Sequence, residues 1–263
     1  MASALSTTFE RRRSEKPRIE RRPHEPPECD IGYYDPELDV PTSPTHNAAM
    51  YDLHTKLAPI AKARGLVFMS DNSIWYLEPN TGKQKVLYPD VVFATRLDSV
   101  TAEDALLVIE IVSTHDARKE RKDTVQQRQN NEFNQVPEFG LYFPDVDDER
   151  VFELFRWDPV SSSYVSVPRS ENGRFASASM PGLEFEVLPV EVWQDGVKMD
   201  VYFEGQRCLS FEEQRLRADR EAERAQREAD ARREAETSER LATQRSEKLA
   251  AKLRALGIDP DAD

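Results

Sequence analysis

The period of the apolar residues changes along this chain. From Thr45, the residues Met50, Leu53, Leu57, Ile60 and Ala61 recur at three- and four-residue steps and make one apolar helix face. Gly65 is placed as its stop. Pro59 lacks a backbone donor and predicts a kink or an early break near Thr55. His46 and His54 read as surface or capping groups. Short runs then predict strands over Leu66–Met69, Ser73–Leu77, Val86–Leu87 and Val91–Ala94, separated by Ser70-Asp71-Asn72, Asn80-Thr81-Gly82 and Pro89-Asp90. The run Leu106-Leu107-Val108-Ile109-Glu110-Ile111-Val112 reads as a strand buried on both faces. Its one acid is the anomaly. An unpaired carboxylate is costly to bury or shifts its pKa until it neutralises, so Glu110 requires a cation, a proton or an exit to solvent.

Asp116–Phe133 is rich in Lys, Arg, Gln and Asn and predicts a helix along a wet face. Phe139–Phe143 is β-rich and ends at Pro144-Asp145. Val151–Trp157 and Tyr164–Val167 predict a hairpin pair. Gly182–Leu188 and Val197–Phe203 predict strands that extend and cover the sheet. From Phe211 the chain is Ala, Glu, Arg and Gln, with no Pro or Gly until Gly257, which favours a long helix. Ala218, Ala222, Ala225 and Ala229 follow one heptad frame. Ala235, Ala242, Leu249, Leu253 and Leu256 follow another, offset by about three residues, a stammer that would overwind a coiled coil.

Composition sharpens the division. Of 263 residues, 38% are hydrophobic and 32% charged, and the charge gathers at both ends. The expected organisation is a disordered Pro-rich tail over 1–44, an α/β domain over 45–205, a charged helix or coiled coil over 206–256, and a short tail over 257–263. A net charge of −13 excludes a constitutive coat on nucleic acid, which needs a basic surface. It leaves room for an enzyme that meets DNA through a local basic patch and metal ions. Two cysteines, Cys29 and Cys208, lie far apart and predict no disulfide framework, as in a reducing cytoplasm. No apolar run is long enough for a membrane span, and the arginine-bearing N-terminal stretch lacks the apolar core of a secretory signal.

Two acids stand out by context. Asp90 follows a proline and opens an apolar strand, and Glu110 lies within the next one. Neighbouring strands that bring two carboxylates to one end of a sheet would suit a hard divalent cation. His115, Asp116, Arg118, Lys119 and Lys122 follow, where cationic groups could offset phosphate charge. Plainer readings stand beside these. Asp90 is a turn residue, Glu110 is ion-paired to Lys119 or Lys122, Asp116 is a helix N-cap, His115 is a loop residue, and the lysine-rich run is a solvated helix face.

Three segments carry a resemblance: V-L-Y-P-D-V-V-F with Pro89 and Asp90, V-I-E-I-V-S with Glu110 and Ser113, and V-P-E-F-G-L-Y-F-P-D over 136–145. Together they resemble the Uma family of restriction-type endonucleases, a bacterial branch of the PD-(D/E)XK nuclease superfamily. The likeness covers most of residues 45–256, including a C-terminal helix ending L-R-A-L-G-I-D-P. It implies a restriction-endonuclease-like α/β fold, a mixed sheet flanked by helices. It also implies Mg2+ or Mn2+ held by Asp90 and Glu110, and a catalytic lysine. The superfamily signature places that lysine two residues after the glutamate, where this chain has Val112. Uma-type chains draw it from the following helix, after a Ser-Pro-Ser-Thr-like turn. Here the turn is Ser113-Thr114-His115-Asp116, shortened and without the proline, and the candidates are Lys122, the favoured one, and Lys119. Two functions follow as expectations. One is a metal-dependent endonuclease acting on DNA. The other is an inactive nuclease-like domain serving as an oligomeric binding protein. In either, the C-terminal helix is expected to pair copies of the chain.

Overall fold

Ser43 opens the first helix. Its hydroxyl accepts from His46 N at 3.0 Å, and Pro44 takes the first helical position, where a missing N–H costs nothing. This helix, α1 (Pro44–Ala63), runs unbroken through Pro59, contrary to the break expected near Thr55. The residues around the proline explain this. Leu53, Leu57, Ile60 and Ala61 are all buried against the sheet, and that burial outweighs one lost hydrogen bond. Gly65 then adopts φ +67°, the left-handed geometry that ends a helix. The computed structural model describes residues 19–20, 34–35, 40–41, 43–114 and 117–256. The expected tails lie almost wholly outside these residues, and so do Cys29, His115 and Asp116.

The strands that follow are β1 (Val67–Met69), β2 (Ile74–Leu77), β3 (Gln84–Leu87), β4 (Val91–Ala94), β5 (Ala105–Ile111), β6 (Glu138–Tyr142), β7 (Phe152–Asp158) and β8 (Ser163–Ser166). Six of them form a mixed sheet in the order β8-β7-β6-β5-β4-β1, and β2 and β3 form a separate hairpin. Only β5 and β6 run parallel within the six-stranded sheet. Their crossover is the helical segment between them, as a parallel pair requires.

Side-chain alternation sends β4 and β5 into two cores. Val91, Phe93, Leu107, Ile109 and Ile111 join α1, whereas Val92, Ala94, Val108 and Val112 join the β2–β3 hairpin, Phe139 and Leu141. In β6, Gly140 leaves room for a ring: a Cβ there would stand 3.1 Å from Phe152.

The crossover comprises α2 (Ala117–Arg121), a π-helical turn (Lys122–Gln127) and α3 (Arg128–Phe133). Its C-terminal half is not the wet helix expected from composition. Gln127, Asn130, Asn131 and Asn134 are buried. The Asn134 amide pairs with the Leu77 backbone in both directions, at 2.8 and 2.9 Å, and Tyr76 donates to Asn131 at 2.9 Å. Amide side chains resemble polar surface in a sequence, yet they can satisfy the backbone of a neighbouring strand.

Four further strands, β9 (Arg174–Ala176), β10 (Leu183–Val187), β11 (Met199–Phe203) and β12 (Gln206–Arg207), build their own antiparallel sheet. They cover α1 and Phe152 through Phe175, Leu183, Phe185 and Val201 but do not extend the main sheet as expected. Glu138 ties the two sheets together. Only 1% exposed, its carboxylate accepts from Ala178 N (2.8 Å), Ser179 N (3.0 Å), Ser179 Oγ (2.6 Å), Ser177 Oγ and Arg156 Nε (3.1 Å). A charge so fully bonded is tolerated in a core.

A second compact unit begins at Phe211. It holds α4 (Phe211–Ala255), 45 residues with none buried. Among the described residues no helix is long and apolar enough to cross a membrane.

Candidate active site

The β4–β5 ladder pairs Val91 with Ile109 and Val92 with Val108. One step further along this register, Asp90 stands across from Glu110, with both side chains on the same face. The Asp90 carboxylate is fixed from two directions. Oδ2 accepts the Ile111 backbone N–H at 2.6 Å, and Oδ1 lies 3.4 Å from His46 Nε2 in the first turn of α1. Ser43, the cap of that helix, donates to Ser113 Oγ at 3.0 Å. The N-terminus of α1 is thereby sewn to the turn that follows β5.

Glu110 is 3% exposed, and its Oε1 is buried without a hydrogen-bond partner. Burial raises its pKa well above the ordinary value. The charges of Asp90 and Asp123 push the same way, against a hydrogen bond from the Asp90 backbone and the charge of Lys122. Tyr76 beneath it is fully buried, and its phenol is pushed up by burial and then by the Glu110 charge.

Two more carboxylates complete the cluster. Asp71 sits in the β1–β2 turn at φ 50°, a conformation Asp tolerates better than most side chains, and its N–H donates to Pro89 O at 3.1 Å. Burial, followed by the charge of Asp90, raises its carboxyl to about 6, with His46 opposing. Asp123 enters from the π-helical turn. Burial and then Asp90 push it up to about 7, against Lys122, Lys119 and His46. For His46, burial pulls the imidazole down, but the Asp90 contact and the charges of Asp90 and Asp71 prevail, so its pKa is raised.

The negative charge of Asp90 bears on Asp71, Glu110 and Asp123 alike, an excess that a cation would relieve. Among the described residues no three His, Cys, Asp or Glu side chains form a ready-made metal cage. Magnesium does not need one, because it keeps several waters and takes one or two carboxylates. The orphaned Glu110 Oε1 and the hard oxygen donors of Asp90 and Glu110 fit such an ion.

The structure therefore brings Asp90 and Glu110 together, with Lys122 close enough to act on Glu110 and Asp123. Lys119 acts instead on His46 and Asp123. His46, Asp71 and Asp123 were not anticipated as members of the site. In the sequence His46 reads as a surface or capping group, Asp71 as a turn residue, and Asp123 is hidden in a lysine-rich run. A π turn adds a residue per turn and often marks a functional site. Here it delivers Lys122 and Asp123, adjacent in sequence, to the same cluster.

Comparison with curated proteins finds no match. The model of the family Uma2, "Putative restriction endonuclease", matches residues 17–191. That span contains α1, the whole six-stranded sheet and every member of the acid cluster. It is well over half of the chain, and the protein belongs to this family.

Proposed function

We propose that the protein is an endonuclease that hydrolyses DNA phosphodiester bonds with a Mg2+ or Mn2+ ion held by Asp90 and Glu110. The observation that carries this reading is Glu110 itself: a nearly fully buried carboxylate with an unpartnered oxygen, surrounded by like charge. Retaining such a group costs stability unless a cation completes it. When bound, the ion would supply a water nucleophile at neutral pH and neutralise charge on the scissile phosphate. The side chains do the remainder. Ile111 N–H and His46 hold Asp90 in one orientation. Lys122 offsets the charge that develops on the phosphate oxygens, and Lys119, one turn earlier, adds to the local basic field that draws DNA to an acidic protein. Asp123 presents a third carboxylate that accepts the proton released by the attacking water.

The test is cleavage of supercoiled plasmid with Mg2+ or Mn2+ by wild type, Asp90→Ala and Glu110→Ala. The reading requires nicking by wild type alone. Equal activity in all three proteins would end it.

A second reading is favoured by Val112, which stands where the superfamily signature has its lysine. In that reading the nuclease-like domain is inactive and serves as an oligomeric binding module. The same plasmid assay separates the two, since an inactive domain nicks nothing with either metal. In both readings α4 pairs two copies of the chain. Its 45 residues extend about 68 Å at 1.5 Å per residue, and its alanine-rich seams bury little area, so the pairing is weak. Light scattering before and after removal of residues 211–263 measures it, and an unchanged monomeric mass would remove the claim.

A further inference from the structure

Lys198 is fully buried, 0% exposed, at the threshold of β11. Its ammonium donates to Asp145 O (2.9 Å), Asp148 O and Arg150 O (2.7 Å), and lies 4.1 Å from the centre of the Trp193 ring. A neutral amine has two N–H donors, so meeting three carbonyls requires the charged form. The side chain acts as an internal cation that gathers the loop between β6 and β7 around itself. The preceding turn is seated as tightly. Tyr142 donates to Gly196 O at 3.0 Å and accepts from Lys198 N at 2.9 Å. Gly196, at φ +85°, lies so close to α1 that a Cβ would be 2.6 Å from that of Ala48.

The loop so fixed ends in Arg150. Its guanidinium is held by Asp148 at 2.7 Å, stacks 4.1 Å over Phe143, and reaches Glu120 at 2.6 Å. Glu120 belongs to α2, between Lys119 and the Lys122–Asp123 pair. We infer that Lys198, Arg150 and Glu120 form a clamp that sets the position of the basic helix over the acid cluster, making Lys198 and Arg150 positioning residues for Lys122 and Asp123. The same 194–198 turn packs on the first turns of α1, which carry His46. One structural turn thus braces both helices that frame the site. The assignment deepens the nuclease reading and rests on it for its catalytic consequence, although the clamp itself is a physical connection.

Amide hydrogen exchange on the full chain tests it, using Lys198→Met, Arg150→Gln, Glu120→Gln and the Arg150→Gln/Glu120→Gln double variant. In Lys198→Met, exchange should rise together in residues 145–150 and 117–121, while β5 stays protected. The Arg150–Glu120 pair is partly solvent-exposed, so each Gln variant should accelerate residues 117–121 by only about two- to fivefold. The double variant should do no more than Arg150→Gln alone. In cleavage assays the Gln variants should lose kcat with KM for DNA unchanged. If residues 117–121 are unaffected in both Gln variants, or the two effects add, the clamp is refuted, and those variants decide the matter if Lys198→Met does not fold. If wild type nicks no DNA while the exchange pattern holds, the nuclease reading fails and the clamp stands.

Discussion

The Ile111 backbone N–H donates to Asp90 Oδ2 at 2.6 Å, so the acid that opens β4 caps the end of the neighbouring strand β5. This bond occupies one oxygen of Asp90, while Glu110 Oε1, on the residue before Ile111, has no hydrogen-bond partner. The pair is asymmetric. Asp90 is anchored by the Ile111 N–H and by His46, and Glu110 accepts a hydrogen bond from the Asp90 backbone while its Oε1 goes without one.

Because Glu110 is buried among like charges, Glu110→Gln should stabilise the metal-free protein while abolishing cleavage. Relief of the repulsion is worth about 1 kcal/mol, or about 2–4 °C in Tm for a protein of this size. Thermal unfolding without metal, beside the plasmid assay, checks both halves. A lower Tm would mean that Glu110 has a stabilising partner.

Asp123 gives a pH dependence of definite sign. An acid whose folded pKa is raised keeps its proton in the folded chain where the unfolded chain has already released it. The folded state therefore loses stability as pH rises from the ordinary 3.8 through about 7. Asn at this position does not titrate. The stability of Asp123→Asn relative to wild type should grow across that window and level off above it, measured by denaturation in the absence of metal. A flat difference would place Asp123 in solvent.

Glu138 should matter for folding and not for chemistry. Glu138→Ala leaves two backbone N–H groups, two serine hydroxyls and Arg156 without their acceptor, and should cost about 3–5 kcal/mol in urea unfolding. A loss under about 1 kcal/mol would show that the segment 177–179 finds other partners.

Asn134→Ala should cost about 1–3 kcal/mol, because it removes both bonds to the Leu77 backbone at a buried site. The loss should appear as faster exchange of Leu77. An unchanged protection there would contradict the role given to the amide.

What the sequence discloses here follows from where each signal resides. Glu110 was legible because one charge within seven otherwise aliphatic positions is a local contradiction. Asp90 was legible because a turn leads into an adjacent strand. The strand-length runs and the intervening helix are legible as elements, whereas the mixed sheet is what the family resemblance implies. The 177–179 partners of Glu138 are not legible, since they lie 39 to 41 residues away in a Ser-Ala-Ser run with no period of its own. The buried face of α3 was hidden because its anchors are Asn and Gln. Asp123 was hidden because a π turn shifts the helical register, so reading at 3.6 residues per turn gives no warning that Lys122 and Asp123 serve one cluster. The strands of the second sheet read as an extension of the first because strand patterns do not say which sheet they join.

The central claim is that Asp90 and Glu110 together hold a divalent cation, and calorimetric titration of Mn2+ into DNA-free protein addresses it directly. The account predicts single-site binding to wild type that disappears in Glu110→Gln. Binding of equal strength in that variant, or no binding to wild type, would contradict it.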